Sequence, residues 1–376
     1  MPQAEPGGIV KAVVCHAPGD VRVEEIDDPT PLAGEVKIRV AAVGVCHTDL
    51  NFTSGAVPVP FPIVLGHEAA GRVVEVGPGV RDVRVGDHVL CSIIGPCEQC
   101  FQCLRDNPEL CEETVFFTGR MIDGTTRLSK DGRPIHTLHY QGSYAEYAVV
   151  PERYVVPIRA DAPLDVVCGL ACGISTGLGA AMVRAAVQPG SSVVVLGSGG
   201  VGLSTMMGAR FRGATTVVAV DTVARKVDKA LSLGVATHGV DASAADPVAA
   251  VLELTGGRGA DYGFDAVGMP GTLDQVVAAT RPGAMCVVIG RSLGAVTITL
   301  DTTVLLRQRV ITGTYGGSIH PRRHLPELVD LCMQGRLEIG GILDTRYRLE
   351  DAPQALDDLH HGRITRGVIV IDDEAP

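Results

Sequence analysis

Between residues 9 and 90, apolar and polar residues follow one another in short blocks that are typical of β-strands. Residues 9–15, 21–26, 35–43 and 71–76 are rich in valine and isoleucine, and glycine or proline turns bound them. Helical periodicity does not alternate with these blocks. The pattern therefore predicts an irregular, β-rich first domain.

From residue 191 onwards the pattern changes to buried strands that alternate with helices. Residues 191–196, 216–220, 260–267 and 284–290 are predicted strands, and residues 203–212 are a predicted helix. Further strand pieces are predicted in residues 296–312, around Leu305 and Leu306. The last β-like run, residues 363–371, resembles the N-terminal region, so we expect the tail to rejoin the first domain.

The composition limits the classes of protein to which the chain can belong. Its 376 residues suffice for about two domains. A net charge of −11 argues against nucleic acid or an anionic membrane as the main partner. The sequence shows neither a signal peptide nor an apolar run of about 18 residues that would span a membrane. Eleven cysteines in such a chain indicate a reduced cytoplasm, where clustered cysteines bind metal or carry chemistry.

Four cysteines lie close together, with two, two and seven residues between them: Cys97, Cys100, Cys103 and Cys111. This spacing matches a closed tetrahedral zinc site, which is structural because it leaves no open position for a substrate. An iron–sulfur cluster is the alternative, although ferredoxin-type runs place the fourth cysteine three residues further on. The metal would fold a long loop that has little apolar core of its own.

A second set of metal-ligating residues is spread along the chain. Residues 44–49, GVCHTD, carry Cys46 next to a hydroxyl and a carboxylate, just after a predicted strand. His67 follows an apolar segment, and Cys172 opens a stretch of small residues. Two thiolates and one imidazole are the ligands of a catalytic zinc with one open position. Spacing alone does not show that such distant residues meet, so a reduced cysteine on a turn and a core histidine are the alternatives.

A glycine-rich segment, Gly197-Ser-Gly199-Gly200-Val-Gly202, lies between a predicted strand and a predicted helix. In this context G-x-G-x-x-G predicts a dinucleotide site, because the glycines allow a tight turn, a close approach to the pyrophosphate and helix–strand packing. Asp221, 19 residues after the last glycine, would accept hydrogen bonds from the adenosine ribose and repel a 2′-phosphate. NAD is therefore predicted over NADP.

Together these motifs are similar to those of the zinc-dependent medium-chain alcohol dehydrogenases. The resemblance runs from Lys11 to Ile371 and includes GVCHTDL, GHE, the four-cysteine segment, ACGISTG and GSGGVG. The polar segment 112–142 resembles the longer loop of the liver-type branch. The family implies an α/β protein with a GroES-like β-rich catalytic domain and a doubly wound parallel-sheet (Rossmann) domain, separated by a cleft that closes on NAD. The implied boundaries are 1–173 and 315–376 for the catalytic domain, 91–112 for its structural-zinc lobe and 174–314 for the Rossmann domain.

The same resemblance implies two zinc ions per chain and roles for the residues around them. The clustered cysteines would hold the structural zinc, and the catalytic zinc would be held by Cys46, His67 and Cys172. Thr48 would accept the alcohol proton, and Asp49 would orient the histidine ligand. Glu68 would approach the metal during ligand exchange.

The cofactor contacts implied by the family come from many parts of the chain. They are His47, Thr176, Gly197, Gly199, Gly200, Val201, Gly202, Asp221, Lys226, Val267, Ile289 and Arg366. Within this set, His47 and Arg366 match pyrophosphate contacts of the family. Thr176 and Val201 match positions that press against the nicotinamide, and Lys226 matches a ribose contact.

Several positions depart from the family or bear on the substrate. Asn51 stands where many members have a histidine that ends the proton relay, and an amide takes up no proton at neutral pH. Arg291 replaces an aliphatic pocket residue, and either pairs with an anionic group or lies on a surface loop. His139 is either a polar pocket residue or a solvated loop residue. Ile93 is smaller than the aromatic residue of some relatives, which favours bulkier alcohols.

The sequence therefore predicts an NAD-dependent zinc enzyme that interconverts a primary or bulky aromatic alcohol and its aldehyde. The alternatives within the fold are an enzyme that holds NAD permanently and one that oxidises a thiol–formaldehyde adduct. A zinc-binding interaction module is the alternative outside enzymes. The longer loop and strands within residues 296–313, which would pair across a two-fold axis, favour a homodimer over a tetramer.

Overall fold

The computed structural model describes residues 8–114, 118–292 and 294–372. Residues 1–7 lie outside the described part. They belong to the N-terminal stretch in which no signal peptide is predicted. The chain forms two compact units. Unit 1 runs up to Cys172 and also includes His320–Gly335 and the chain from Leu343 onwards, and unit 2 consists of Gly173–Ile319 and Arg336–Ile342.

The first part of unit 1 is built from short strands with little helix. Its strands are β1 (Ile9–Ala17), β2 (Asp20–Asp27), β3 (Glu35–Gly44), β4 (Ile63–Val64), β5 (Ala69–Val76), β6 (His88–Cys91), β7 (Leu128–Lys130), β8 (Arg133–Thr137), β9 (Tyr147–Pro151) and β10 (Val155–Ile158). Its helices are α1 (His47–Thr53) and α2 (Leu164–Val167). The predicted strands before residue 77 correspond to β1, β2, β3 and β5.

Unit 2 alternates helices and strands, as the pattern from residue 191 predicts. In chain order they are α3 (Gly173–Gly179), β11 (Ser192–Leu196), α4 (Gly200–Phe211), β12 (Thr216–Asp221), α5 (Ala224–Ser232), β13 (His238–Asp241), α6 (Pro247–Leu254), β14 (Ala260–Asp265), α7 (Thr272–Ala278), β15 (Thr280–Val288), α8 (Thr302–Leu306) and β16 (Val310–Gly313). The chain then returns to unit 1 with α9 (Pro321–Met333), β17 (Thr345–Arg348), α10 (Ala352–His360) and β18 (Gly367–Val370).

Two sheets organise unit 1. One has the strand order β2-β1-β4-β8-β7, and the other has the order β10-β6-β5-β3-β18-β17, with β9 also paired to β3. Strand β18 pairs antiparallel with β3, where Ile369 lies opposite Val43. The predicted return of the tail to the first β-rich region is confirmed by this pairing. Strand β3 lies inside the larger sheet and is buried along nearly its whole length, and the segment that carries Cys46 begins at its end.

The strands of unit 2 form a parallel sheet in the order β13-β12-β11-β14-β15-β16. Every residue of β11 is buried, which suits a central strand with helices on both faces. The strand order reverses direction between β11 and β14. In doubly wound sheets this switch point is where a dinucleotide binds, at the carboxyl ends of the strands.

Of the strand pieces predicted around Leu305 and Leu306, only β16 is confirmed, because these two residues end helix α8. The carboxylate of Asp301 accepts a 2.8 Å hydrogen bond from the N–H of Thr303 and so caps the helix. Strand β16 starts only at Val310. A local cap therefore outweighs the strand preference of a segment rich in β-branched residues.

Among the described residues, no single helix is long and apolar enough to cross a membrane. A bent pair of helical segments, Leu164–Ala171 with Gly173–Arg184, has the length and apolar composition of a membrane span. Most residues of both segments are buried, and core helices that are buried in a protein share these two properties.

Candidate active site

Cys46, His67 and Cys172 come together in unit 1, although they are far apart in the chain. Cys46 directly precedes α1, His67 lies between β4 and β5, and Cys172 follows the 3₁₀ turn Cys168–Ala171. Glu68 joins them, and the ligand atoms of these four residues lie within 4.8 Å of one another. The side chains of His67 and Glu68 are fully buried. The fold thus assembles the donor set that spacing alone left open.

This donor set fits a zinc ion. Donors on one tetrahedral zinc lie roughly 3.5–3.8 Å apart, so small side-chain adjustments would bring the observed atoms into place. A hydrogen bond from the Cys172 thiol lowers the pKa of Cys46 well below its usual value, against the effect of burial. A lowered pKa favours the thiolate form, in which a cysteine binds a metal. Two thiolates and one imidazole would leave one position for an alcohol oxygen.

A buried carboxylate lies behind His67. Asp49 Oδ1 is 3.4 Å from His67 Nδ1 and accepts a 3.0 Å hydrogen bond from the N–H of Gly66. Its Oδ2 accepts hydrogen bonds from the N–H of Cys46 at 3.3 Å and from the hydroxyl of Tyr144 at 3.2 Å. Asp49 thus connects two ligand segments and leaves Nε2 of the imidazole for a metal. The sequence motifs did not indicate a role for Tyr144, because its position beside Asp49 depends on the fold.

Glu68 and Arg366 form a buried ion pair beside the donor set, across 298 positions of sequence. Burial raises the pKa of Glu68, and the guanidinium of Arg366 acts against that rise. Gly44 is required here, because a Cβ at this position would collide with the Glu68 side chain. Arg366, which we predicted as a pyrophosphate contact, thus neutralises the carboxylate of Glu68 beside the metal ligands.

Helix α1 and the segment after β8 supply the other polar groups near this set. On α1, His47 is exposed, whereas Thr48 and Asn51 are partly buried. The imidazole of His139 lies against that of His67, with 5.1 Å between the ring centroids. Of the two alternatives for His139, the structure therefore favours a place beside the metal ligands.

The four clustered cysteines also form one group, since the sulfur atoms of Cys97, Cys100, Cys103 and Cys111 lie within 4.8 Å of one another. Cys111 is buried, and the other three are partly exposed. The N–H groups of Cys103 and Glu112 donate 3.5 Å hydrogen bonds to Cys100 Sγ and lower the pKa of Cys100 to about 6. Four sulfur donors within reach of one ion fit a closed, structural zinc site.

In unit 2 the glycine-rich turn joins the end of β11 to helix α4. Gly197 has a φ of +93°, and a Cβ on Gly202 would collide with the Gly197 carbonyl oxygen. A Cβ on Gly199 would meet nothing within 4 Å, so the turn has an open side next to the start of α4. Asp221, the last residue of β12, accepts a 2.8 Å hydrogen bond from the N–H of Ser198. This geometry fits a pyrophosphate over the turn and an adenosine ribose near Asp221.

The other predicted cofactor residues of unit 2 lie on several elements. Val201 is in the first turn of α4, Lys226 in α5 and Thr176 in α3, while Val267 and Ile289 follow strands β14 and β15. Because carboxyl ends of parallel strands meet at one edge of a sheet, Val267 and Ile289 lie at the edge that carries the glycine-rich turn. Arg291, two residues further on, is exposed.

Comparison with known proteins supports this geometry. The alcohol dehydrogenase GroES-like domain matches residues 32–160, and the zinc-binding dehydrogenase domain matches residues 200–334. The chain is 36% identical over 372 residues to S-(hydroxymethyl)glutathione dehydrogenase of Paracoccus denitrificans, covering 96% of this chain and 98% of that protein. It is 36% identical over 368 residues to NDMA-dependent alcohol dehydrogenase of Amycolatopsis methanolica, with coverage of 96% and 98%. The crystal structure of benzyl alcohol dehydrogenase from Acinetobacter calcoaceticus matches with a TM-score of 0.91 and 34% identity, covering 97% of this chain and 99% of that chain.

Fold and site together define a zinc-binding dehydrogenase with a Rossmann unit. The chain belongs to the zinc-dependent medium-chain alcohol dehydrogenases. It is an NAD-dependent zinc oxidoreductase that acts on small-molecule alcohols or aldehydes, with one catalytic and one structural zinc site. The predicted family, fold class, enzyme class and cofactors are confirmed.

Proposed function

We propose that the enzyme oxidises a primary or bulky aromatic alcohol to its aldehyde, with Thr48 as the proton acceptor. The supporting observation is the largely buried set of Cys46, His67 and Cys172, because Thr48 lies two residues after one of these ligands. When bound, the zinc would act as a Lewis acid toward the alcohol oxygen and NAD would accept the hydride. The two sulfurs and the imidazole would hold the ion and keep one position open.

The remaining proposed roles belong to the residues around this set. Thr48 accepts the proton of the alcohol hydroxyl and passes its own hydroxyl proton on, and Asp49 orients the imidazole of His67. Asn51 cannot take up the proton at neutral pH, so we infer that the proton leaves through water or through another group. Glu68 approaches the metal during ligand exchange. The cofactor would be bound by the twelve residues predicted from the sequence, from His47 to Arg366.

Replacement of Thr48 tests the proton acceptor. Thr48→Val keeps the shape but removes the hydroxyl, so we expect a loss of about 10²-fold or more in kcat with both zinc ions retained. Thr48→Ser keeps the hydroxyl and serves as the matched control, with most activity preserved. Wild-type activity in Thr48→Val would overturn the role.

A substrate panel read by NADH absorbance tests the substrate class. We expect kcat/KM for benzyl alcohol to exceed that for ethanol, since Ile93 is smaller than the aromatic residue of some relatives. The relation to the benzyl alcohol dehydrogenase supports the same order. A clear preference for ethanol would contradict the aromatic assignment.

A second candidate substrate is a thiol–formaldehyde adduct. The name of the Paracoccus denitrificans relative favours this candidate. Formaldehyde oxidation that requires added glutathione, and that exceeds alcohol oxidation in kcat/KM, would establish it. Formaldehyde oxidation without dependence on a thiol would exclude it.

A permanently bound cofactor is the alternative for the catalytic cycle. The name of the Amycolatopsis methanolica relative, which is NDMA-dependent, supports testing for it. Denaturation of the purified enzyme should release less than about 0.1 NAD(H) per chain if the cofactor exchanges freely. Release of one equivalent, together with turnover only in the presence of an artificial acceptor, would establish the alternative.

We propose a homodimer, with a tetramer as the alternative. Strand β16 is an edge strand next to exposed apolar residues, since Leu306 is 79% and Val310 is 47% exposed. Such an edge is suited to pairing with a second copy across a two-fold axis. Light scattering after gel filtration should give a dimer for the wild type and a monomer for Leu306→Lys combined with Val310→Lys.

We further propose a cytoplasmic protein without nucleic-acid or membrane partners, consistent with the net charge of −11 and with eleven cysteines, all within the described residues, that form no disulfide. Cell fractionation tests the location, and a duplex DNA titration at low salt tests the partner.

We also propose that residues 1–173 and 315–376 form the catalytic domain around a Rossmann domain at 174–314. Limited proteolysis should cut first near these boundaries.

A further inference from the structure

Asp265 is a buried carboxylate at the carboxyl end of β14. The sequence motifs gave it no role. The residue is 2% exposed. Its Oδ1 accepts hydrogen bonds from the N–H groups of Val267 and Gly268, both at 2.9 Å. Its Oδ2 accepts a 2.7 Å hydrogen bond from the hydroxyl of Thr272, the first residue of α7. A buried carboxylate that accepts three hydrogen bonds holds the turn between β14 and α7 in one conformation.

The backbone of the same residue holds a second turn. The carbonyl oxygen of Asp265 accepts hydrogen bonds from the N–H groups of Ile289 at 2.8 Å and Gly290 at 2.9 Å. These residues follow β15, the neighbouring parallel strand. Asp265 therefore connects the turn after β14 to the turn after β15.

The two turns pack backbone against backbone. A Cβ on Gly268 would collide with the main chain of Gly290, and a Cβ on Gly290 would collide with the main chain of Val267. Val267 in turn packs against the glycine-rich loop, because a Cβ on Gly197 would lie 2.8 Å from its Cγ2 atom. A shift of either turn would therefore be transmitted to its neighbours, since close-packed backbone cannot absorb it.

The position of these turns identifies which part of the dinucleotide they face. Asp265 lies opposite Leu196, the residue before the glycine-rich loop, on the side of β11 away from Asp221. The adenosine ribose belongs to the Asp221 side, so the turns after β14 and β15 lie on the side of the nicotinamide half.

We propose that Asp265, supported by Thr272, is a positioning residue for the nicotinamide half of NAD. It fixes the main chain of Val267 and Ile289, two residues that we propose as cofactor contacts. The inference rests on the proposed cofactor site at the glycine-rich loop. Asp265 itself does not touch the reacting atoms, because it is buried behind the turns that it holds.

Asp265→Asn tests the proposal, because an amide nitrogen cannot accept the bond from Thr272. We expect the KM for NAD to rise about tenfold, with kcat at saturating NAD lowered less than the KM is raised. Direct fluorescence titration should show a similar loss of NADH affinity. Hydrogen exchange in the cofactor-free protein should become faster in residues 266–271.

Asp261→Asn is the matched control on the same strand. Asp261 lies at the opposite end of β14 and accepts hydrogen bonds from the N–H of Ser192 at 2.8 Å and from Arg281 Nε at 2.6 Å. Its replacement should lower the thermal unfolding temperature but leave NADH affinity within about twofold of the wild type.

Thr272→Val keeps the proposal testable if Asp265→Asn does not fold, because it removes only one donor. It should raise the KM for NAD about threefold with little change in thermal unfolding. Unchanged cofactor affinity in both Asp265→Asn and Thr272→Val would overturn the proposal and leave Asp265 with a purely structural role. Wild-type protein that bound neither NAD nor NADH would overturn the cofactor site as well, which separates the two failures.

Discussion

The two cysteine sites of unit 1 contain similar donors but are built in opposite ways. The lobe site takes all its ligands from residues 97–111, and three of its four cysteines are partly exposed. The catalytic set takes Cys46, His67 and Cys172 from three separate segments and is largely buried. The first site can fold its own loop, whereas the second depends on a fold that already exists. The site assembled from distant segments is thus the one that would keep a coordination position open for a substrate.

The polar surroundings differ in the same way. Around Cys100 the charge is balanced by main-chain N–H groups of the lobe itself. Around the catalytic set, Asp49 lies against the imidazole of His67 and the guanidinium of Arg366 pairs with the carboxylate of Glu68. A buried charge that loses its partner costs several kcal/mol, whereas an exposed one is solvated by water. Substitutions at the two sites should therefore affect different properties.

The largest expected effect is that of Cys46→Ser. Loss of one thiolate should remove the catalytic zinc, so the metal content should fall from two ions to one and activity should fall by more than about 10³-fold. Metal analysis and the NADH assay check both values. Cys168→Ser is the control, since this buried thiol lies outside the donor set and should leave both zinc ions in place. Retained zinc-dependent turnover in Cys46→Ser would contradict the catalytic site.

Cys103→Ser should have the opposite effect, on stability and not on activity. The lobe should lose its zinc, and the thermal unfolding temperature should fall by about 10 °C, because metal binding and lobe folding are coupled. Activity of the remaining folded protein at low temperature should stay within about threefold of the wild type. Abolished activity with unchanged thermal unfolding would show that the lobe is not a purely structural site.

Asp49→Asn should have an intermediate effect on activity. The amide keeps the size of the side chain but weakens the interaction with the imidazole of His67, so kcat/KM should fall about 10–100-fold. Asp87→Asn is a control, because Asp87 accepts a bond from the N–H of Arg84 in an exposed turn. An Asp49→Asn enzyme as active as this control would remove the proposed orienting role.

Glu113→Gln should have the smallest effect. Glu113 accepts hydrogen bonds from Gln99 at 3.2 Å and Arg153 at 3.3 Å next to the lobe, and its side chain is 46% exposed. An exposed ion pair of this kind contributes less than about 0.5 kcal/mol, so urea unfolding should be nearly unchanged. A loss above about 2 kcal/mol would show that the lobe, like the catalytic set, depends on its charged partners.

Local patterns predicted the parts of the fold whose causes are local. The valine-rich blocks became β1, β3 and β11, and the glycine-rich segment became the turn before α4. The lobe ligands could be recognised because their spacing alone places four sulfurs within reach of one ion. The strand prediction failed at Leu305 because periodicity did not distinguish a strand from a helix there. The cap supplied by Asp301 favours the helix.

The sequence by itself determined the donors, the glycine-rich turn and the family, because these depend on residue type and short-range spacing. Only the tertiary structure decided that Cys172 lies beside Cys46, that Arg366 pairs with Glu68 and that Asp265 holds two turns of the cofactor site. These contacts join residues from distant strands and turns. Their positions follow from sheet pairing and core packing, which no short stretch of sequence specifies.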